Sequence, residues 1–519
     1  MAIVAENKYR TQEIPTREGR LGSISGYCGA LQDLVAQSHC GSLKNRERCF
    51  SQSSMCLSMC AVGQLLGIRD IAVIYHAPSG CCAGAAGTYI LANQIAARIG
   101  ETNDSVMVGT DIDEHDTVFG AVEGVRKIAH EAYRKFNPKA IFIASSCVTG
   151  VIGEDLDSLC EELSGELPVP VESVHCEGFK SRIWASGFDV ADHAVMRAIV
   201  KPPKEKRPAI NFKNFFESQR KEITAIFARF GVTPQFLYMN STVEELSHIS
   251  ESLATVCVCG TLGTYLGNAL EEKYGVPYIR TINFLGVTGF ERWMREIGKA
   301  IGKEKEVDEY LAEEREKYLP EITALKQELA GLRAVIGMGP GYTYEVARVL
   351  QELGMEVVWA AAWHYDYRYD NGAVPPAMDY LKTESPNDIG FSVADMQNYE
   401  ILNIINRYKP DIYFSRHPGS TVWAIKQGVA AFYVADEYSI FGYKGMVQFA
   451  KSVTDVIRNR SFEKNLAARC KLPYTDWWYK QANDAMLIAA QPQKRDPLYQ
   501  RDKREEKSEY ESVAEKEAV

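Results

Sequence analysis

The chain has 519 residues, of which 46% are hydrophobic, and a formal net charge of −10. At roughly 100–200 residues per domain, this length predicts three or four domains, each with a core of its own. The acidic charge argues against a dedicated nucleic-acid binder, because phosphate contacts require a basic surface. We find no apolar run near the length of about 18 residues that a membrane helix needs, and no signal-peptide core at the N-terminus. We therefore expect a soluble, cytoplasmic protein without a membrane partner.

The 13 cysteines are an odd number. A disulfide framework is not expected in a long chain without a signal peptide, so buried free thiols or metal ligands remain. A small core residue is the ordinary role of a cysteine. The metal interpretation gains weight where a thiol follows an apolar strand in a loop rich in Gly or Pro.

The first such loop follows a predicted N-terminal arm, residues 1–48. A continuous apolar run predicts a buried strand at Ile71–Tyr75. The loop HAPSGC comes next, ends in Cys81 and leads into a helix, whose N-terminal amides would stabilise a thiolate. Cys56 lies 25 residues upstream of Cys81, with Cys49 and Cys60 on either side of it.

Two more predicted strands of this region also end in cysteines. A strand from Ala140 leads to Cys147, and the strand Val169–Val174 leads to His175 and Cys176. Several thiolates from separate loops are the usual ligands of an iron–sulfur cluster. The tight CxxCxxC spacing of a ferredoxin is missing, which indicates a large or shared cluster. Zinc is the alternative, but the CxxC pairs of zinc sites are also missing.

A polar, Pro-containing segment, 201–214, is interpreted as a linker to a second α/β region. There, an apolar strand ends in Cys257 and Cys259, and a Gly-rich turn, a short helix and a second predicted strand, Val276–Ile282, follow. A thiol at the carboxyl end of a strand faces the crevice in which α/β folds bind ligands. Cys259 is therefore a candidate metal ligand.

A third region follows a densely charged helix, 303–327, which we interpret as solvated. A strand from Leu332 runs into the turn Gly337–Gly341, which precedes Tyr342. Such a turn is weak evidence for a nucleotide site and equally fits a tight turn whose amides face an anion. Polar residues at later strand ends are His364 in WAAAWHYDYRY, then His417, Asp436 and Glu437.

Alternating strands and helices predict an α/β fold of three Rossmann-like, parallel-sheet domains. The expected bounds are an arm at 1–48, α/β domains at 49–205, 206–330 and 331–490, and a charged tail at 491–519.

Several of these loops carry a family resemblance. HAPSGC, SSCVTGVIGEDLD, VHCEGFK and VCGTLGTYLGNALEEKYGVPYIRTINFLGVTGFE resemble the nitrogenase α-subunit superfamily, as do GMEVV and RYKPDIYFS, over most of residues 45–460. The resemblance implies three α/β domains around a central cofactor cleft. It also implies a heterotetramer with a homologous β-type subunit and a separate, homodimeric, ATP-dependent iron protein as electron donor.

The resemblance also assigns thiols. Cys81 and Cys147 match two ligands of the superfamily's P-type 8Fe-7S cluster, which is shared with the β-type subunit. We choose Cys56 as the third by its spacing to Cys81, with Cys49 and Cys60 as alternatives. Cys259 matches the thiolate that anchors the active-site cofactor. Its neighbour Cys257 is either a second ligand or a core thiol.

The chain departs from molybdenum nitrogenase around that cofactor. Trp184 and Phe188 stand where a Gln and a His would face it, and Val434 takes the place of its His ligand. Gly419 falls near the Lys that holds the organic acid homocitrate, and Tyr342 matches an Arg. These departures imply a large, all-iron cluster without homocitrate, with Tyr342 beside it.

A pocket lined by Trp184 and Phe188 suits a small organic substrate. Within the superfamily, the methylthio-alkane reductase type, which cleaves C–S bonds of small thioethers, matches this pattern. Candidate proton donors or second ligands are His364, His417, Asp436 and Glu437, with His364 and Glu437 preferred as catalytic residues. A satisfied polar group at a domain boundary is the ordinary alternative for each.

Three other functions remain open. A cofactor-assembly scaffold would also lack the His ligand, but the chain keeps Cys176-Glu-Gly-Phe, as catalytic subunits do. A nitrogenase with an alternative cofactor is the second. A tetrapyrrole reductase fits less well, because those proteins bind one four-iron cluster and have no use for an anchor at Cys259.

Overall fold

The computed structural model describes residues 13–46, 55–214, 217–259, 261–368, 374–394, 398–434 and 440–481. Residues up to Leu472 belong to one compact unit, and the described part of a second unit, from Pro473, contains a short helix, Asp476–Tyr479. Four predicted features lie outside the described residues: Cys49, Asp436, Glu437 and the tail 491–519. Within the described ranges, no helix is both long enough and apolar enough to cross a membrane.

The N-terminal segment begins with α1 (Arg17–Arg20), β1 (Gly26–Ala30) and α2 (Leu31–His39). This segment lies within the predicted arm 1–48, and its strand β1 pairs antiparallel with residues 390–394, with Gly26 opposite Ala394. The segment thus adds an edge strand to a sheet formed by the C-terminal half of the unit.

Four parallel strands form the first sheet: β2 (Ile71–Tyr75), β3 (Val106–Gly109), β4 (Ala140–Ala144) and β5 (Val171–Val174). Their order is β3–β2–β4–β5. Every residue of β2 and β4 is buried, as expected for a parallel sheet covered by helices on both faces. The helices are α3 (Leu57–Leu65), α4 (Ser79–Arg98), α5 (Glu114–Phe119), α6 (Val122–Phe136), α7 (Cys147–Ile152), α8 (Leu156–Glu166) and α9 (Ser186–Ala198).

The second sheet has three parallel strands, β6 (Ala209–Lys213), β7 (Thr233–Leu237) and β8 (Ala254–Cys257), in the order β7–β6–β8. Its helices are α10 (Glu217–Ala228), α11 (Val243–Ser247), α12 (Thr264–Tyr274), α13 (Gly286–Ile301) and α14 (Glu304–Leu329). Helix α14 confirms the charged helix predicted from the sequence.

Two sequence interpretations of this region are wrong. The predicted linker 201–214 contains the central strand β6, which is buried throughout. The predicted strand Val276–Ile282 is reduced to a single bridge between Tyr278 and Thr255. Pro277 lies next to that bridge and has no N–H to extend the ladder.

The third sheet has six strands in the order β1–β11–β10–β9–β12–β13, and all pairs except β1–β11 are parallel. The remaining strands are β9 (Arg333–Met338), β10 (Glu356–Ala362), β11 (Gly390–Ala394), β12 (Ile412–Ser415) and β13 (Ala430–Tyr433). The helices are α15 (Pro340–Glu352), α16 (Pro376–Glu384), α17 (Asn398–Tyr408), α18 (Pro418–Lys426), α19 (Gly442–Arg458) and α20 (Ser461–Ala467).

The predicted α/β class with parallel sheets is confirmed, and the domain bounds remain predictions. The largest hydrophobic core extends across the second and third sheets without a break and includes Cys259. The loops that follow β8 and β9 are therefore fixed against each other by shared packing.

Candidate functional site

Three thiols lie at the carboxyl end of the first sheet, each at a helix N-terminus. Cys56 is the N-cap of α3 and accepts a hydrogen bond from Met59 N at 3.5 Å, Cys81 lies in the first turn of α4, and Cys147 is the first residue of α7. The amides at a helix N-terminus favour negative charge, so these positions stabilise thiolates or an anionic cluster.

The strand order explains why these loops meet. The chain leaves β2 towards β3 on one side and leaves β4 towards β5 on the other. Neighbouring strands with opposite connections leave a crevice at their carboxyl ends. Cys81 follows β2 and Cys147 follows β4, so both open into that crevice.

Because Gly178 has no side chain, the sulfurs of Cys147 and Cys56 can lie close to its backbone. A Cβ added there would lie 3.3 Å from Cys147 Sγ and 3.6 Å from Cys56 Sγ. No three described cysteines have sulfurs that all lie within 4.8 Å of one another. Because a tetrahedral zinc ion with Zn–S bonds of about 2.3 Å would require a closer set, the spacing suits a larger cluster.

Burial raises the pKa of the Cys81 thiol, the neighbouring Cys56 and Cys147 add to that rise, and a hydrogen bond with Tyr75 acts in the opposite direction. A bare thiol here is therefore protonated at neutral pH. Metal binding must displace this proton, because the thiolate is the ligand.

Of the alternatives to Cys56, Cys60 lies one turn further along α3, is buried, and packs with Phe188 and Ile183. By contrast, Cys81 and Cys147 are exposed and Cys56 is half-buried. The structure thus groups Cys56 with the two matched cysteines at the surface.

Cys259 occupies a second, buried position just after β8. Its side chain is 4% exposed, and its Sγ lies 3.3 Å from Thr261 Oγ1. It faces the start of α15, where a Cβ at Gly341 would overlap with the sulfur. Gly341, the last glycine of the predicted turn, therefore makes room for Cys259, which accounts for this glycine without a nucleotide.

Cys257 has a different environment. Its sulfur donates to Cys259 O at 2.9 Å, and burial raises the pKa of its thiol. Lys213 stands directly opposite it on β6. The hydrogen bond to the loop backbone supports the interpretation of Cys257 as a structural thiol.

A buried arginine from α1 joins three parts of the fold beside Cys259. The Arg17 guanidinium is fully buried and donates to Asp189 Oδ1 at 2.9 Å, to Asp366 Oδ2 at 3.2 Å and to Thr261 O. These partners lie on α9, after β10 and in the Cys259 loop. Arg20 adds a bond to Asp189 Oδ2 at 2.7 Å, so two cations face two anions.

Asp366 is ionised in this network. Burial alone would raise the pKa of its carboxyl, but His364 and Arg17 outweigh burial and lower the pKa to about 2. His364 Nε2 lies 3.7 Å from Asp366 Oδ2, beyond hydrogen-bond distance. Among the described residues, neither ring nitrogen of His364 has a hydrogen-bond partner, although the side chain is 2% exposed.

Tyr344 on α15 repeats this pattern. Its hydroxyl is buried and has no hydrogen-bond partner within the described part of the chain. It lies close enough to Cys259 and Asp366 for their charges to act on it. Buried polar groups are normally satisfied. The orphaned groups of His364 and Tyr344 therefore fit a polar group bound beside Cys259.

His417 is a satisfied side chain. Its Nε2 lies 2.8 Å from Trp363 Nε1. Because an indole nitrogen only donates, this His417 nitrogen must accept, and a neutral ring carries its proton on Nδ1. Burial, and then Arg416, lower the pKa of His417 to about 4, so the ring is neutral at neutral pH. It is a poor proton donor through Nε2.

The predicted cofactor neighbour Tyr342 is covered by an arginine. The Arg416 guanidinium lies 4.2 Å from the centre of its ring and donates to Val434 O at 3.4 Å. Val434 itself is 1% exposed and belongs to the hydrophobic core. Neither Arg17 nor Arg416 was identified from the sequence, although Arg416 directly precedes His417, one of the polar residues at predicted strand ends.

Trp184 and Phe188 lie between the two thiol groups. Their ring centres are 6.0 Å apart, and they pack with Cys60 of α3 and with Leu262. Leu262 N in turn donates to Cys259 O at 3.0 Å. The aromatic pair thus connects the helix that begins at Cys56 with the loop that holds Cys259.

We expect Arg17→Met to destabilise the fold, because it leaves Asp189 and Asp366 buried without their shared cation. Breaking a buried ion pair in this way costs about 3–5 kcal/mol. The matched control is Arg458→Met, which removes an exposed pair with Glu328 and costs about 0–1 kcal/mol. Urea unfolding followed by circular dichroism measures both, and equal midpoints for the two variants would contradict the role of Arg17.

Comparison with known proteins identifies a family and several relatives. A family model described as nitrogenase component 1 type oxidoreductase matches residues 56–458. The nitrogenase molybdenum-iron protein alpha chain of Methanosarcina barkeri is 24% identical, over 74% of this chain and 82% of its own length. The nitrogenase iron-molybdenum cofactor biosynthesis protein NifE of Methanococcus maripaludis is 28% identical, over 75% and 80%.

One solved structure, nitrogenase Cp1 at pH 5, has a TM-score of 0.66 and 22% identity, and covers 83% of this chain and 92% of its own. At this identity, the likeness concerns the fold alone.

Proposed function

The chain belongs to the nitrogenase component 1 type oxidoreductase family, and we propose that it is the catalytic α-type subunit of a nitrogenase-like iron–sulfur reductase. One observation carries the proposal. Two separate groups of thiols lie at strand ends, one open to the surface at Cys81 and Cys147 and one buried at Cys259. An outer group can receive electrons from a partner, and an inner one can deliver them to a substrate.

The outer group suits a P-type cluster shared with a homologous β-type subunit in a heterotetramer. Cys56, Cys81 and Cys147 supply thiolates from one side, and their exposure leaves the other side for a partner's ligands. Helix α4 continues from Cys81 and exposes Ile90 and Leu91 by 56% and 52%. Exposed apolar side chains beside an incomplete ligand set support a permanent partner here.

The inner group suits an active-site cluster anchored by Cys259. An iron–sulfur cluster bound there would supply electrons at low potential. Near Asp366, His364 and Tyr344 offer buried polar atoms that have no hydrogen-bond partner among the described residues. His364 can hold a proton on a ring nitrogen, next to the Asp366 carboxylate. Val434, which offers no ligand, and Gly419, which offers no amine, support an all-iron cluster without homocitrate.

The proposed substrates are small methylthio-alkanes. Trp184 and Phe188 present apolar surface beside the Cys259 loop and exclude water there. Reductive cleavage of R–S–CH3 takes two electrons and two protons, breaks one C–S bond and yields R–H and methanethiol. His364 is our choice for one proton, and Glu437 remains the other candidate.

A cofactor-assembly scaffold is the alternative function. The similarity to NifE supports it, because that relative is at least as close in sequence identity as the molybdenum-iron alpha chain reported above. A nitrogenase with an alternative cofactor is the second alternative. The three proposals differ in what the loaded complex does with electrons.

We expect the complex with its β-type subunit and iron protein to reduce 2-(methylthio)ethanol and release methanethiol, which gas chromatography detects. Cys259→Ala should abolish this activity because the active-site cluster loses its anchor. Cys40→Ala, at an exposed thiol, is the control and should keep it. Absence of thioether turnover, together with transfer of a cluster to a nitrogenase apoprotein, would favour the scaffold. Reduction of dinitrogen would favour the second alternative.

The surface beside Cys147 is our proposed docking site for the iron protein. Val118 and Phe119 of α5 are 73% and 75% exposed, and Val151 of α7 is 77% exposed. Helices α5 and α7 contact each other, and Val151 lies on the helix that begins at Cys147, so we propose that the three side chains form one apolar patch. A partner bound to this patch would stand close to the outer cluster.

We expect Phe119→Asp to slow electron transfer from the iron protein roughly tenfold or more, because it places a charge in an apolar contact. Stopped-flow oxidation of the iron protein measures the rate. Phe462→Asp, at a site that is 65% exposed on α20, is the matched control and should leave the rate unchanged. Equal rates for the two variants would exclude the patch as the docking site.

A further inference from the structure

A buried threonine lies beside the inner thiol. Thr261 follows Cys259 in the loop after β8 and is 1% exposed. Its Oγ1 lies 3.3 Å from Cys259 Sγ, within hydrogen-bond distance of the sulfur, and in a cluster-free chain either atom can be the donor. The hydroxyl thus contacts the sulfur that we assign to the inner cluster.

Hydrogen bonds to the backbone hold the loop in this geometry. Leu262 N donates to Cys259 O at 3.0 Å, and Cys257 Sγ donates to the same oxygen at 2.9 Å. Thr261 O accepts a hydrogen bond from the buried Arg17 guanidinium. A β-branched side chain has few allowed positions at χ1, so a fixed backbone also restricts where the Thr261 hydroxyl can lie.

Cluster binding decides which of the two atoms donates. A thiolate that binds iron has lost its hydrogen, so the sulfur can only accept. The Thr261 hydroxyl carries one hydrogen and is therefore the donor. Hydrogen bonds to a charged acceptor are roughly twice as strong as those between neutral groups. Because Cys259 is 4% exposed, little water competes with the hydroxyl for the sulfur.

We propose that Thr261 is a positioning residue that donates its hydroxyl hydrogen to the Cys259 thiolate and thereby raises the reduction potential of the inner cluster. Hydrogen bonds to the sulfurs are among the factors that set the potential of an iron–sulfur cluster. The reduced cluster carries more negative charge than the oxidised one, so the same bond stabilises the reduced state more. The inference rests on the inner cluster of the proposed function.

The test is a redox titration of the purified complex with its β-type subunit, followed by EPR, with iron content measured on the same samples. Thr261→Val keeps the branched shape and removes the hydroxyl, so the potential of the inner cluster should be more negative than in the wild type. Thr261→Ser keeps the hydroxyl, so its potential should stay closer to the wild-type value. Thr454→Val removes a buried hydroxyl on α19 and should leave the potential unchanged.

The outcomes separate this inference from the proposed function. A Thr261→Val complex with normal iron content and the wild-type potential would overturn the inference and leave the inner cluster in place. A wild-type complex without an inner cluster would overturn both. If Thr261→Val binds no inner cluster, Thr261→Ser and Thr261→Ala decide, because they differ only in the hydroxyl and equal potentials would contradict the inference. Loss of the cluster in Thr261→Ala as well, with a normal cluster in Thr261→Ser, would show that the hydroxyl holds the cluster rather than tunes it, and would also overturn the inference.

Discussion

The Arg17 guanidinium is the contact on which the inner site depends. It is fully buried and binds an aspartate on α9, an aspartate after β10 and a backbone carbonyl in the Cys259 loop. A buried ion pair of this kind adds little net stability. An arrangement in which one partner is missing is nevertheless strongly destabilised, because it leaves an uncompensated buried charge. The N-terminal segment therefore fixes the Cys259 loop relative to the first and third sheets, although it belongs to neither thiol group.

The two thiol groups differ in the way that their proposed roles require. Cys81 and Cys147 are exposed, whereas Cys259 is buried at the contact of two sheets. Between them lies one small apolar cluster, with Phe188 and Cys60 at its centre. Packing through this apolar cluster fixes the position of the proposed outer cluster relative to that of the proposed inner one.

Much of the fold could be predicted from the sequence, because runs of apolar residues mark several of its buried strands. The strand Ile71–Tyr75 was predicted with its observed bounds, since every residue in it is apolar and buried. Strand β6 was missed because it ends in Lys213, a charged residue that the fold buries beside Asp192. Arg17 was missed because its partners lie 172 and 349 residues away along the chain. No periodic pattern of residues in the sequence indicates pairs that are so far apart.

We propose that the chain holds two distinct clusters, an outer one at Cys56, Cys81 and Cys147 and an inner one at Cys259. Anaerobic EPR of the complex with its β-type subunit, combined with iron quantitation, tests it directly in the wild type and in Cys81→Ala and Cys259→Ala. We expect two separable signals in the wild type, with each substitution removing a different one. Loss of the same signal, and of the same iron, in both variants would contradict it.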